Sequence, residues 1–316
     1  MNTAKHTKIS VVIPCYYSEK TIAKVVCGTR EHLLNAGYDY EFVCVNDGSK
    51  DNTYLEIEML ASQDANIVGV ELLRNFGQHN AIMAGLARVS GDLVLLMDDD
   101  MQTHPSQCIK IIEALDNETD VVFGAFSEVC QNWFRRAGSK FAMATVRVFA
   151  GCPKDITDSN FLVMRRCVSD EILKFPGKSV YIQGLIFRTT DRLKDVSVQH
   201  FNREEGESGY SFKSLLALWF RIFSFSVTPI RAVSAMGMLM SLAGLIWAIA
   251  LIIDRITSPD MELGWASVMV TILACSGILM FSLGIVGEYV GRLFTITDNT
   301  PQYIVRKTTY FKGKAQ

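Results

Sequence analysis

The sequence has no excess of positive charge and no closely spaced cysteine pair. Among its 316 residues, 31 Lys and Arg stand against 33 Asp and Glu, which gives a formal net charge of −2. This balance offers no electrostatic basis for binding nucleic acid, so we expect no nucleic-acid partner. The eight cysteines include no Cys-x-x-Cys pair, which argues against a zinc site and favours buried thiols in a reducing compartment.

Glycine-rich phosphate loops are also absent. Neither Gly-x-Gly-x-x-Gly nor the Walker A pattern Gly-x-x-x-x-Gly-Lys-Ser/Thr occurs anywhere in the chain. These loops bring backbone N–H groups against the phosphates of dinucleotides and nucleoside triphosphates. Their absence removes the main sequence support for a dinucleotide-dependent oxidoreductase or a phosphate-loop ATPase.

Long apolar runs are confined to the last third of the chain. Residues 232–253 and 264–287 carry no charge, and each is long enough to cross a bilayer core of about 30 Å as a helix. The connector 254–263 has Arg255 as its only basic residue, whereas basic residues flank the pair on both outer sides. The positive-inside rule therefore predicts a transmembrane hairpin with both termini in the cytosol. The first residues, MNTAKHTKIS, agree because they lack the apolar core of a signal peptide.

Four regions follow from this composition. Residues 1–211 are predicted to form a cytosolic catalytic domain, and residues 230–291 the two-helix hairpin. Between them, residues 212–229 are apolar nearly all round, which predicts a helix in the membrane interface. A helix buried under the soluble domain is the alternative for that segment. Residues 292–316 are predicted to be a cytosolic tail.

Short β-branched runs alternate with helix-compatible stretches over the first 125 residues. The runs are KISVVIP, YEFVCVN, NIVGVELL, DLVLLMD and DVVFGA. This alternation predicts an α/β fold with a mainly parallel sheet and helices on both faces. Ligands of such sheets gather at the carboxyl ends of the strands, which is where the polar residues following these runs stand.

Three adjacent carboxylates, Asp98, Asp99 and Asp100, end the fourth run. Alternate residues of an extended segment point the same way, so Asp98 and Asp100 are expected to share a side, with Asp99 facing elsewhere. Gln102 continues that side with a carbonyl oxygen. An all-oxygen set suits Mg²⁺ or Mn²⁺, and such a metal commonly completes its shell with a substrate's phosphate oxygens. A solvated acidic turn is the structural alternative.

Several motifs occur in the order found in one enzyme family. The chain resembles polyprenyl-phosphate glycosyltransferases, which are inverting nucleotide-sugar transferases with the GT-A fold. It is most similar to the branch with two C-terminal membrane helices, such as undecaprenyl-phosphate 4-deoxy-4-formamidoarabinose transferase and the bactoprenol glucosyltransferases, and more distantly to dolichyl-phosphate mannose synthase. The motifs are IPCYYSEKTI, VNDGSKDNT, RNFGQHNAIMAGL, SGDLVLLMDDDMQTHP, REEGESGYSF and VGEYVGRL.

The resemblance implies roles for matching positions. The first-strand loop would hold the nucleotide base and ribose through Pro14, Tyr16 and Glu19, and Asp47 would contact the base. Asp98, Asp100 and Gln102 would form the metal and diphosphate site. The remaining predicted residues would bind phosphate groups, in particular that of the lipid acceptor: Arg135, Arg136, Arg203 and Ser208.

The resemblance also implies a reaction. One sugar would pass from a nucleotide-diphosphate donor, UDP-linked by this likeness, to undecaprenyl phosphate at the cytoplasmic face of a bacterial inner membrane. Because the acceptor phosphate is already anionic, a general base is not required; Asp100 is the nearest candidate if one is used. Polar residues between 155 and 190 are expected to choose the sugar. Gly287 and Gly291 have the spacing of close helix contacts, within the hairpin or in a homo-oligomer.

Two other functions are alternatives to this one. A processive polysaccharide synthase would carry a Gln-x-x-Arg-Trp motif, and the sequence has none. A non-catalytic membrane scaffold for lipid-sugar transport would have no use for the carboxylate set at 98, 100 and 102. The sequence therefore favours a single-sugar transferase.

Overall fold

The computed structural model describes residues 7–126, 153, 155–177, 180–199, 264–297 and 301–309, together with seven single positions between 235 and 253. The whole predicted interfacial helix, 212–229, and most of the first predicted span, 232–253, lie outside the described residues. So do four predicted site residues: Arg135, Arg136, Arg203 and Ser208.

The described strands form one eight-stranded mixed sheet of order β7-β5-β6-β4-β1-β2-β3-β8. The strands are β1 Lys8–Cys15, β2 Asp39–Asn46, β3 Ile67–Leu72, β4 Leu93–Leu96, β5 Val121–Phe126, β6 Leu162–Arg165, β7 Leu193–Val198 and β8 Val305–Thr308. The neighbours β4, β1, β2 and β3 run parallel, which confirms the parallel arrangement predicted from the alternation. Strands β6 and β8 are antiparallel to their neighbours β4 and β3.

Helices cover both faces of this sheet, as predicted. They are α1 Ile22–Asn35, α2 Thr53–Gln63, α3 Gln78–Leu86, α4 Cys108–Glu113, α5 Arg166–Leu173 and α6 Ile182–Thr189, with a 3-10 turn at Pro105–Gln107. A further helix, α7 Trp265–Thr297, follows later in the chain. Val12 packs in the core beneath α3, α5 and α6, whereas its neighbours Val11 and Ile13 pack in the core beneath α1, α2 and α4. This period of two explains why β1 reads as a continuous apolar run, since both of its faces are buried.

The last described segment returns to the eight-stranded sheet. Strand β8 pairs with the edge of β3, and Thr309 continues the contact by donating its backbone N–H to the carbonyl of Gly69 at 2.9 Å. Before the strand, the Gln302 amide donates to the carbonyls of Phe175 and Gly177 at 2.6 and 2.9 Å. The sequence predicts a cytosolic tail at 292–316. In the structure, part of that segment is β8, the outer strand of the sheet.

In the part of the chain that the structure describes, no helix combines the length and apolar character needed to cross a membrane. The two predicted spans, 232–253 and 264–287, are not confirmed.

A partly buried carboxylate ties the amino ends of β1 and β2 to the loop before β4. Glu41 of β2 accepts hydrogen bonds from Lys8 Nζ, Ser10 Oγ and Ser90 Oγ, each at 2.5 Å, and from the backbone N–H of Ser90. Burial raises the pKa of Glu41, but the bonds from Lys8, Ser10 and Ser90 outweigh it and lower this pKa to about 2. The ionised form is therefore the one that stabilises the fold.

We expect Glu41→Gln to lower the free energy of unfolding at pH 7 by about 1–3 kcal/mol, because a charged acceptor of several bonds is lost. A depressed folded pKa contributes stability that is present above the ordinary value of 4.5 and is lost as the pH falls toward 2. Urea unfolding of the purified chain, followed by circular dichroism, should show that the free energies of unfolding of the original protein and the variant converge as the pH falls through that interval. Glu31→Gln, on the exposed face of α1, is the matched control. A difference in free energy of unfolding that stays constant with pH would contradict the stabilising role of the ionised Glu41.

Candidate active site

Four loops meet at the carboxyl edge of the parallel strands. They follow β1, β2, β3 and β4, which are neighbours in the sheet order β4-β1-β2-β3. Side chain-to-backbone bonds join loops that are distant in the sequence: the backbone N–H of Tyr16 donates to Asp99 Oδ2 at 3.0 Å, and that of Phe76 donates to Asp47 Oδ1 at 2.7 Å. This edge is where the sequence predicted the site.

Each of the three carboxylates after β4 has a donor of its own. Asp98 Oδ1 accepts from Gln78 Nε2 at 2.7 Å, and Asp100 Oδ1 accepts from the backbone N–H of Gln102 at 3.0 Å. Asp99 accepts from the first-strand loop at Tyr16. Donors from three different places thus offset part of the repulsion among three like charges.

The expectation that Asp99 faces away from the site is not what the structure shows. Strand β4 ends at Leu96, and the chain then turns, with Met101 at a φ of +59°. Since the segment is no longer extended, the strict alternation of an extended strand does not apply to it, and Asp99 lines one pocket together with Asp100. Among the described residues, no three His, Cys, Asp or Glu side chains form a group that could hold a metal.

This pocket has a volume of about 410 Å³. Its lining comes from the first-strand loop, the β2 loop and the β4 turn: Tyr16, Tyr17, Ser18, Glu19, Lys20, Thr21, Asp51, Asp99 and Asp100. Tyr16 and Tyr17 are half exposed, and their rings meet edge to face with centroids 4.6 Å apart. Exposed aromatic faces beside carboxylates are suited to a ligand with a planar base and a polar, charged portion.

Burial changes the protonation behaviour of the β4 turn. It raises the pKa of Asp99, and the nearby charge of Asp100 raises it further, while the bond from the Tyr16 backbone N–H acts in the opposite direction. A raised pKa means that the site disfavours the ionised form. A cation bound among these oxygens would favour it.

The first-strand loop is held rigidly against the β2 loop. The backbone N–H of Tyr17 donates to Ser49 Oγ at 3.0 Å, and that of Ser18 donates to Thr53 Oγ1 at 2.9 Å. In return, Glu19 Oε2 accepts the backbone N–H of Asn52 at 3.0 Å, just before α2. Predicted site residue Glu19 thus lines the pocket and also fixes the wall of the next loop.

Asp47 holds the loop after β3. It is 3% exposed, and its two oxygens accept the backbone N–H groups of Phe76 and Gly77 at 2.7 and 2.9 Å. Burial raises the pKa of Asp47, and these two bonds counter it. Next to it, Gly48 has a φ of +69°, and a Cβ there would lie 2.4 Å from the backbone carbon of Arg74. Only glycine permits this approach of the two loops.

The other predicted residues lie around this edge in different ways. Pro14 is buried within β1 opposite Val45, next to the start of the pocket loop. Gln102 is partly exposed in the β4 turn, where its backbone supports Asp100. The structure brings Tyr16, Glu19 and Asp100 together in the pocket lining. Contact of Asp47 with a nucleotide base stays a prediction.

We expect Asp47→Ala to free the backbone N–H groups of Phe76 and Gly77, because both lose their buried acceptor. The free energy of unfolding should fall by about 1–3 kcal/mol. Hydrogen exchange measured by mass spectrometry should show faster exchange in the peptide covering 72–82. Asp39→Ala, at the exposed opposite end of β2, provides the comparison. Unchanged exchange at 76 and 77 would show that the carboxylate does not hold this loop.

Comparison with known proteins gives a family for this arrangement. Residues 10–186 match the glycosyl transferase family 2 domain, and residues 228–293 match the GtrB C-terminal hairpin. Among solved structures, the chain is similar to glucosyl-3-phosphoglycerate synthase from Mycobacterium tuberculosis in complex with phosphoglyceric acid, at 20% identity and a TM-score of 0.51, covering 69% of this chain and 78% of that one. The same synthase in complex with Mn²⁺, UDP-glucose and phosphoglyceric acid gives 18% identity, a TM-score of 0.51 and the same coverage.

These structural likenesses are at low identity, and they show a shared GT-A-like fold. The family match extends over more than half of the chain and includes every pocket residue and the carboxylates at the end of β4. The chain therefore belongs to glycosyl transferase family 2 and is a glycosyltransferase.

Proposed function

We propose that this glycosyltransferase moves one sugar from a UDP-sugar to a polyprenyl phosphate, with inversion, in a reaction that depends on Mg²⁺ or Mn²⁺. The catalytic domain would work at the cytoplasmic face of a bacterial inner membrane, anchored by the predicted hairpin. A homo-oligomer held by helix contacts of the hairpin is part of this proposal.

The charge of the pocket is the observation that carries the proposal. Its described lining contains four carboxylates, Glu19, Asp51, Asp99 and Asp100, against the single ammonium of Lys20. A nucleotide diphosphate would meet net repulsion from such a lining. A divalent cation between the carboxylates and the diphosphate turns this repulsion into attraction, and the half-exposed Tyr16 and Tyr17 offer faces for the base.

The side chains after β4 fit such a cation by their chemistry. Asp98, Asp100 and Gln102 would hold it, and all three offer oxygen, the donor that Mg²⁺ and Mn²⁺ prefer. When bound, the cation supplies Lewis-acid stabilisation of the charge that grows on the departing diphosphate. The Mycobacterium tuberculosis synthase whose fold resembles this chain was solved with Mn²⁺ and UDP-glucose, so these are the first ligands to test.

The chain's own residues then have the task of orientation. The locked loops after β1 and β2 would hold the donor, so that the anomeric carbon is open to in-line attack from the opposite side. An acceptor phosphate is already anionic at neutral pH and needs no proton removed. Arg203 and Ser208 are predicted to place it, because a guanidinium binds phosphate oxygens in a bidentate manner.

The lipid acceptor and the membrane location rest on the second half of the chain. Two uncharged runs, 232–253 and 264–287, fall within the match to the hairpin of GtrB, a polyprenyl-phosphate glucosyltransferase. Several large apolar side chains of α7 are exposed: Ile272, Leu279, Met280, Leu283 and Val290. Covering them with lipid would remove the cost of hydrating them. An anchored domain also meets a lipid-bound acceptor at high effective concentration.

We expect Asp100→Asn to weaken metal-dependent donor binding, because one charged ligand is lost while the bond to the Gln102 N–H can be kept. Titration calorimetry with Mn²⁺ and UDP-glucose should show at least about a tenfold weaker Kd, and the sugar-transfer rate should fall further. Asp191→Asn, exposed and outside the pocket, should bind as the unaltered protein does. Metal-independent binding of equal strength would refute the metal site.

The acceptor is tested by competition between two phosphates. Purified protein, Mn²⁺ and UDP-glucose or another UDP-sugar are incubated with a short-chain polyprenyl phosphate and with 3-phosphoglycerate in parallel. Mass spectrometry should detect the lipid-linked sugar and no glycosylated phosphoglycerate. Preference for the soluble acid would overturn the lipid acceptor while leaving the donor site intact. No transfer to either, together with normal cellular function of Asp100→Asn, would favour a scaffold.

A further inference from the structure

A second polar cluster lies beside the carboxylates, between the start of β6 and the start of α6. Tyr181 donates its hydroxyl hydrogen to Asp158 Oδ2 at 2.7 Å. The Gln183 amide donates to Asn160 Oδ1 at 2.6 Å and to the carbonyl of Ser159 at 3.4 Å. The cluster thus joins the loop before β6 to the first turn of α6.

The sheet register places this cluster at the edge where the carboxylates lie. Leu162, the first residue of β6, pairs with Leu96, the last residue of β4, so the segment before β6 stands next to the turn that carries Asp98. A second connection runs through α3. Gln78 contacts Asp98, and the ring of the next residue, His79, lies edge to face with Tyr181, with centroids 5.6 Å apart.

Two acceptors of this cluster have no hydrogen-bond partner among the residues that the structure describes. They are Asp158 Oδ1 and Gln183 Oε1, and both atoms are buried. The orientation of the Gln183 amide is fixed, since its nitrogen faces a backbone carbonyl, which can only accept. Buried acceptors without donors are costly and uncommon, so each of them calls for an explanation.

We infer that Asp158 and Gln183 select the transferred sugar by accepting hydrogen bonds from its hydroxyl groups, with Tyr181 as a positioning residue. This inference rests on the proposed function and adds a substrate class to it. The sugar would be neutral and rich in hydroxyls. A uronic acid would be rejected, because its carboxylate is an acceptor and would leave the two buried acceptors unpaired.

The support around the two acceptors favours selection over a purely structural role. Asp195 Oδ2 accepts the backbone N–H of Thr157 at 2.8 Å and so holds the segment that carries Asp158. Burial raises the pKa of Asp158, and the bond from Tyr181 counters it. Asp47 uses both of its oxygens within the fold, whereas Asp158 and Asp195 each have a buried Oδ1 with no hydrogen-bond partner among the described residues. Asp158 is held through one oxygen and keeps the other for a donor.

The test measures donor preference separately from nucleotide binding. Transfer to a short-chain polyprenyl phosphate is followed with Mn²⁺ and UDP-glucose, UDP-galactose, UDP-N-acetylglucosamine or UDP-glucuronic acid. We expect a neutral donor to be preferred over UDP-glucuronic acid. Asp158→Asn and Gln183→Leu should each lower kcat/KM for the preferred donor about tenfold or more, while the Kd for UDP with Mn²⁺ stays unchanged. Tyr181→Phe should have a smaller effect of the same kind.

Matched controls separate selection from folding. Tyr54→Phe removes another buried hydroxyl, which lies in α2 and has no hydrogen-bond partner among the described residues, and it should leave donor preference unchanged. An unaltered Kd for UDP shows that a variant is folded. If a variant binds UDP normally and keeps the original kcat/KM and the original order of preference among donors, this inference is wrong and the proposed function still stands. The same holds if UDP-glucuronic acid is the best donor. Absence of any Mn²⁺-dependent UDP binding by the unaltered protein would overturn the proposed function as well.

Discussion

Repulsion among the carboxylates at the end of β4 is the constraint on which the active-site edge depends. Three adjacent aspartates and the acidic wall of the first-strand loop would push apart if they were left alone. Each aspartate is instead held by a hydrogen-bond donor: Asp98 by the Gln78 amide, Asp99 by the Tyr16 backbone and Asp100 by the Gln102 backbone of its own turn. The sheet order brings the first two donors to this edge, so the fold maintains an excess of negative charge where a cation and a diphosphate would bind.

The loops around the site are preorganised by carboxylates that accept hydrogen bonds from the backbone. Both oxygens of Asp47 accept N–H groups of the loop after β3, and one oxygen of Glu19 accepts the N–H just before α2. At Gly48 the two loops come so close that no side chain fits. Loops fixed in this way lose little conformational entropy when a ligand binds. The site can therefore position a donor without first ordering its own walls.

Sequence patterns predicted the regular part of the fold and the edge that carries the site. The β-branched runs fixed β1 to β5 within a few residues, because strands buried on both faces must be apolar throughout. The turn after β4 was missed, since its positive φ at Met101 has no signature in a run of polar residues, and Asp99 was placed on the wrong side for that reason. The cluster of Asp158, Tyr181 and Gln183 was expected only as a broad polar region. Its members meet through the pairing of β4 with β6, and no local spacing indicates that pairing.

Strand β8 has no sequence pattern that predicts it, and its position affects how the proposed membrane enzyme is anchored. Its sequence, VRKT, is half charged and has no apolar alternation, yet it completes the sheet because the edge of β3 needs partners for its backbone groups. The hairpin match, 228–293, lies between the catalytic domain and this strand. Under the proposed function, the catalytic sheet is thus joined to its anchor from both sides of the hairpin. Two attachments restrict the height and tilt of the domain more than one linker could, and so keep the carboxylate edge within reach of a phosphate that cannot leave the bilayer.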